Sequence, residues 1–257
     1  MVFGFFGRRA AAESELAQLR QRAARMPLLA GLSHAELTQL VALAAVFARG
    51  KAFSGAAGLM VTPSMVATVT LQMALPVMNL GKEALDGWEE VVLYPSAFVV
   101  RDHWMAPGGV VHEGDSVLIG QARLDGPVVL SWPDVKRSTG RDGWNVVIHE
   151  IAHKLDMLNG DANGFPPLHK GMNREQWSQA WAAAYANFQQ QLECEGEMAE
   201  EGWLDPYAAE SPAEFFAVLS EAFFECPQGL AEDYPAVYRQ LVAFYRQDTL
   251  ARLSTLE

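Results

Sequence analysis

The chain has 257 residues, with 31 acidic side chains against 19 basic ones for a formal net charge of -12, and half of it is hydrophobic. That mix belongs to a globular protein able to bury a core and excludes a disordered, tail-like chain. The acidity argues against direct binding to nucleic acid or to anionic membranes, whose phosphates demand clustered cations, and leaves peptides or proteins as the expected partners.

Cys194 and Cys226 are too few for a disulfide scaffold and lack the short spacing of a thiolate metal site, so a reducing cytoplasm is the expected compartment. At the start of the chain the apolar residues precede Arg8 and Arg9 and form no long apolar core, which is the wrong order for an export signal. Glu13 to Arg25 is charged and periodic, a helix that Pro27 interrupts. Ser33 to Glu36 has the spacing of a capping box ahead of the apolar row Leu37, Leu40, Val41, Ala44 and Phe47.

Ala52 to Gly81 carries no charge. Pro63 and Pro76 leave a stretch between them well short of the roughly 20 residues a bilayer requires, so it reads as a buried helix. From Glu89 the pattern changes to short β-rich runs, Val91 to Leu93, Ala97 to Val100, Val117 to Ile119 and Val128 to Leu130, which suggest a small sheet. After Trp132 helices are expected at about 142–158, 174–193, 212–225 and 235–246. In the second of these Trp177, Trp181, Tyr185 and Phe188 share one face, a packing face, and Asp156 to Asn173 reads as a long loop. The chain thus divides into a mainly helical N-terminal region, 1–85, and a region 86–257 that holds the sheet and the later helices.

The sharpest chemical signal is His149-Glu150-Ile151-Ala152-His153, which uses two of the six histidines. On a helix, positions i and i+4 share a face, so both imidazoles can reach one Zn²⁺, while the glutamate, turned off that line by about 100°, can approach a water molecule instead. Trp144, Val147, Ile148, Ile151, Leu155 and Leu158 cluster on the other side and would anchor the helix, with His149, His153 and Asp156 facing a cleft. The competing reading is a pair of surface histidines on an amphipathic helix. His34, His103, His112 and His169 have no partner at ligand spacing and are given no metal role.

A catalytic zinc needs a third protein ligand and an open position. An elongated motif would require glycine at 156 and histidine at 159, where this chain has Asp156 and Asn159. Asp156 lies about 10 Å along the axis from His149, strained as a ligand and better placed to orient an imidazole, or else simply solvated. Glu214 is the distant candidate, although Ser211-Pro212-Ala213-Glu214 is also a well-formed capping box; Glu221, two turns further on, is a rival ligand or an outer-shell group.

HEIAHKLD at 149–156, followed by YAAESPAEFFAVLSEAFF from Tyr207, resembles the Mlc titration factor A family, with GWEEVVLYPSAFVV, GPVVLSW and NGDANG extending the likeness over most of the chain. The pairing of HExxH with a later Tyr-x6-Glu-Phe-Phe also resembles the catalytic domain of anthrax lethal factor. The resemblance implies an α+β, zincin-like metallopeptidase with a small mixed sheet and an HExxH helix, in which residues 86–257 form the catalytic domain. It implies His149, His153 and Glu214 as zinc ligands, Glu150 as general base and Tyr207 pointing its phenol into the site. It further implies a soluble cytoplasmic peptidase acting on short, aminopeptidase-type substrates, with a capacity to bind a Mlc-type transcriptional repressor. The alternative is a non-catalytic protein that sequesters a transcription regulator around a structural or vestigial zinc site. For substrate holding, the run Ser116 to Ala122 is the candidate edge strand, or an ordinary exposed edge.

Overall fold

The computed structural model describes residues 3–96, 98–100, 116–118, 120–122, 126–195 and 202–254. His103, His112, Ala97 and Ile119 lie outside them.

Two helices open the chain, α1 (Phe3–Ala23) and α2 (His34–Gly50). The start of α2 is the reciprocal cap read from the sequence: Ser33 Oγ accepts from the Glu36 amide at 3.3 Å, and the Glu36 carboxylate accepts from the Ser33 amide at 2.8 Å. A short strand, β1 (Ala52–Gly55), leads into α3 (Pro63–Val77), the buried helix expected between the two prolines. Every residue of α3 from Ala67 to Val77 is buried. Thr68 and Thr70 donate to the carbonyls of Ser64 and Val66 at 2.8 Å, so burial leaves those hydroxyls bonded, and Gln72 Nε2 reaches the Thr68 and Val135 carbonyls while its Oε1 has no partner among the described residues.

The sheets follow. β2 (Glu90–Tyr94), β5 (Gly120–Ala122) and β6 (Val128–Ser131) join β1 in a four-stranded sheet of order β1-β2-β6-β5, while β3 (Phe98–Val100) and β4 (Ser116–Leu118) make a separate antiparallel pair. β1, β2 and β6 are parallel, with Phe53 opposite Val91 and Val91 opposite Val128; β5 runs antiparallel to β6 with Gln121 opposite Val129. The parallel β1–β2 step uses α3 as its crossover. The run Ser116 to Ala122 is therefore not one strand: its first part pairs with β3, and only Gly120–Ala122 lies on the edge of the larger sheet.

The remaining helices are α4 (Trp132–Arg137), α5 (Val146–Asp156), α6 (Arg174–Glu195), α7 (Pro212–Glu225), α8 (Pro227–Asp233), α9 (Pro235–Tyr245) and α10 (Thr249–Leu253). α5 packs along α7 on one side and against α3 on another. Trp177, Trp181 and Phe188 of α6 are buried against Phe215 and Phe216 of α7, as their shared face requires. The architecture is helix-rich α+β, and a single buried core runs from Leu19 through the sheet to Tyr245. Among the described residues no helix is long and apolar enough to cross a membrane.

Candidate metal centre

α5 begins where Asn145 caps it, the Asn145 side-chain oxygen accepting from the Ile148 amide at 3.0 Å. Val147, Ile148, Ile151 and Leu155 are buried and fix the helix against the core. Leu158 departs from that row: the helix ends at Asp156, a 3₁₀ turn follows, and Leu158 is exposed. The opposite side of α5 faces α7, and there the two imidazoles meet Glu214.

The three groups converge through single atoms. His149 Nε2 and His153 Nε2 are 3.1 Å apart, and Glu214 Oε2 stands 3.1 Å from the first and 3.2 Å from the second. Four tetrahedral bonds of about 2.0–2.1 Å put ligand atoms about 3.3 Å apart, so this triangle has nearly the size of one face of a zinc site. The capping question at Glu214 is resolved by its two ends: its backbone amide donates to Ser211 Oγ at 3.1 Å, and its carboxylate lies against the histidines.

Glu221 does not join the triangle. Its Oε1 takes His149 Nδ1 at 2.7 Å, and its Oε2 accepts the backbone amide of Asn145. An Nδ1–H donated to Glu221 leaves the lone pair of His149 on Nε2, aimed at the other two ligand atoms. In that tautomer the three facing lone pairs repel one another until a positive charge fills the triangle, and the 3.1–3.2 Å spacing of the ligand atoms fits a metal ion there. Without one, a proton on His149 substitutes: burial alone would lower its pKa, but the hydrogen bonds to Glu214 and Glu221 hold it well above the ordinary value. Burial would likewise raise Glu214, and the bonds from His149 and His153 pull it far below the usual carboxylate range. His153 is lowered by burial, partly offset by Glu214.

Glu150 is 1% exposed and its Oε2 has no hydrogen-bond partner among the described residues. Desolvation pushes its carboxyl up to about 8, with Glu214 adding to the rise and His149 and Lys154 opposing it. Tyr207 sits on a 3₁₀ turn, Pro206–Ala209, capped by Asp205 and packed on α7. Its ring centroid is 6.2 Å from that of His149, and burial together with the Glu214 carboxylate raises its phenol well above the ordinary value. A neutral hydroxyl donor therefore stands beside the triangle.

Asp156 is not solvated. It is fully buried, and its Oδ2 accepts the backbone amides of Asn163 at 2.7 Å and Gly164 at 2.6 Å. Two residues near the site escaped the sequence reading. Asn145 carried the signal of an amide residue just ahead of an apolar run; Lys154, buried and donating to the Gly126 carbonyl at 3.0 Å, carried none. His169 Nε2 donates to the Phe244 carbonyl at 2.7 Å and stays outside the site. His34 is exposed and likewise remote in role.

Fold and site together define a helix-rich α+β protein whose two histidines and one carboxylate lie close enough together that they could hold a metal ion. The chain belongs to the glucose-regulated metallo-peptidase M90 family, whose model matches residues 7–246. It is 46% identical over 243 residues to Mlc titration factor A of Yersinia enterocolitica serotype O:8 / biotype 1B, an overlap of 94% of this chain and 90% of that relative. It is also 44% identical over 246 residues to Mlc titration factor A of Yersinia pestis strain Pestoides F, covering 95% of this chain and 90% of the relative.

Proposed function

We propose that the protein is a zinc-dependent peptidase of the zincin-like type, in which His149, His153 and Glu214 hold the ion. The convergence of their three ligand atoms at 3.1–3.2 Å carries this reading. Zinc bound there supplies Lewis acidity, bringing the ionisation of water toward neutral pH and polarising the scissile carbonyl. Glu150 is the general base: buried beside the triangle, it takes the proton from the attacking water and passes it to the leaving amine. A carboxylate held beside the ion suits both halves of that transfer. Tyr207 donates its phenolic hydrogen to the oxygen on which negative charge develops. Glu221 holds His149 in the tautomer that presents Nε2.

The substrate is a peptide, short and of the aminopeptidase type, held in extended form along β5, one edge of the larger sheet among the described residues. Residues 86–257 form the catalytic domain, to which the mainly helical region 1–85 adds β1 in its sheet and α3 in its core, and the protein works in the cytoplasm. The test is a panel of short chromogenic peptides with wild type, Glu150→Gln and His153→Ala, metal content being measured for each. Chelator-sensitive turnover that disappears in Glu150→Gln while the metal stays bound supports the reading. Equal rates in all three proteins overturn it.

A second activity is binding of a Mlc-type transcriptional repressor, favoured by the name both Yersinia relatives carry. Repressor binding that persists in Glu150→Gln assigns it to a surface other than the catalytic one. If such binding is found and no peptide is cleaved, the metal site is structural or vestigial.

A further inference from the structure

The loop after α5 touches both halves of the candidate metal centre. Asp156 lies one turn beyond His153 on the same helix, and its buried Oδ2 grips the amides of Asn163 and Gly164. Gly164 in turn lies directly against the start of α7. A Cβ built there would come within 2.4 Å of the Pro212 carbonyl oxygen and 2.9 Å of its carbon, and the φ of +76° is itself unfavourable for any residue with a side chain. Pro212 stands two residues before Glu214. The loop is braced from behind as well, since Trp177 Nε1 donates to the Gly164 carbonyl at 3.3 Å and Asn159 Nδ2 to the Phe165 carbonyl at 2.9 Å.

We infer that Asp156 and Gly164 are positioning residues that act as a spacer, setting the distance between the helix bearing His149 and His153 and the helix bearing Glu214. The chain of contact is continuous: the Asp156 carboxylate holds the Gly164 amide, the bare Gly164 Cα abuts the Pro212 carbonyl, and Pro212 begins the turn that carries Glu214. A carboxylate at 156 and a glycine at 164 are both needed, one to pull the loop onto α5 and the other to let α7 approach. The inference rests on the proposal that the three ligands bind a divalent ion.

The experiment is Co²⁺ titration of the full-length apoprotein, with chelator competition for affinity and the visible absorption bands as a report on ligand geometry. The proteins compared are wild type, Asp156→Ala, Asp156→Asn, Gly164→Ala and His153→Ala, each checked for folding by circular dichroism. Asparagine at 156 keeps an oxygen for the two amides and removes the charge. The spacer role predicts that Asp156→Ala and Gly164→Ala bind Co²⁺ about 10- to 100-fold more weakly with altered bands, the scale seen when groups supporting metal ligands are removed. Asp156→Asn should stay close to wild type. An Asp156→Asn protein as weak as Asp156→Ala would assign the effect to charge and overturn the inference, as would Gly164→Ala with wild-type affinity and spectrum. Should Asp156→Ala not fold, the Gly164→Ala and Asp156→Asn pair decides alone. Wild type that binds no Co²⁺, or His153→Ala that binds it equally well, is a different result and refutes the metal centre itself.

Discussion

Glu221→Gln changes one atom in a place where the hydrogen-bond directions allow little freedom. The two carboxylate oxygens of Glu221 face two N–H groups, His149 Nδ1 at 2.7 Å and the backbone amide of Asn145. The Asn145 amide can only donate, so it claims the glutamine oxygen. The glutamine NH₂ is then turned toward His149 Nδ1, which must become an acceptor and move its proton to Nε2, into the space shared with His153 and Glu214. The other orientation keeps the His149 bond and sets the glutamine NH₂ against the Asn145 amide, a buried unsatisfied donor costing about 1–3 kcal/mol. Either outcome should weaken metal binding by about 10- to 100-fold, or roughly 1.4–2.7 kcal/mol. The assay is competition for Zn²⁺ against a fluorescent chelator, with circular dichroism confirming that the helices persist. A folded Glu221→Gln protein that binds zinc within twofold of wild type would refute the reasoning, because the tautomer would then not be controlled from Nδ1.

Tyr207→Phe should lower kcat by about 10²- to 10³-fold on a cleaved peptide, the cost of one oxyanion donor, with little change in KM; because Tyr207 is 42% exposed, the melting temperature should hardly move, and unchanged kcat would remove the residue from the chemistry. Glu225 gives a pH prediction away from the ligands: burial, the like charges of Asp142 and Glu221, and the opposing Asn145 bond and Arg141 charge leave its carboxyl at about 8 against an ordinary 4.5. Below 4.5 the group is neutral in both states, and between the two values only the unfolded chain ionises. Stability is therefore lost as pH rises through that window, by up to about 5 kcal/mol. Glu225→Gln should flatten this slope in denaturant titrations at pH 5 and pH 8, and an equal offset from wild type at both would contradict it. Asn145→Ala, which removes the α5 cap and the 2.8 Å bond to Glu225, should destabilise the fold by about 1–3 kcal/mol in the same titrations, and Asn145→Asp, which keeps the cap but turns a second acceptor oxygen toward the Ser138 carbonyl and the Glu225 carboxylate, should cost no less at pH 8.

The longer elements were legible because one pattern decided each. α2 announced itself through Ser33 and Glu36, α3 through its two prolines and uncharged interior, and α6 through aromatic residues at helical spacing. β1 was not, because Ala52–Gly55 has no β-branched residue and becomes a strand only by pairing with β2. β5, with glycine and alanine at its ends, is a strand for the same tertiary reason. At the site, the α5 histidines could be paired from their spacing, but Glu214 and Glu221 could not be ranked from residue type alone. Both are glutamates on one face of α7, and only the angle between α5 and α7 decides which meets Nε2 and which Nδ1. Asp156 shows the same limit, since its partners are backbone amides, which leave no trace in side-chain identity.

One of the two edge strands of the larger sheet, β1, comes from the opening third of the chain, and this bears on how the polypeptide can be trimmed. Cutting before Glu90 would strip β1 away and uncover the β2 backbone along a row of unsatisfied amides and carbonyls, a template for pairing between molecules. It would also withdraw α3, and with it the buried surface on which α5 rests. A fragment carrying every proposed metal ligand would thus be expected to precipitate rather than fold, and the opening helices are best regarded as scaffolding cast in the same pour as the candidate site.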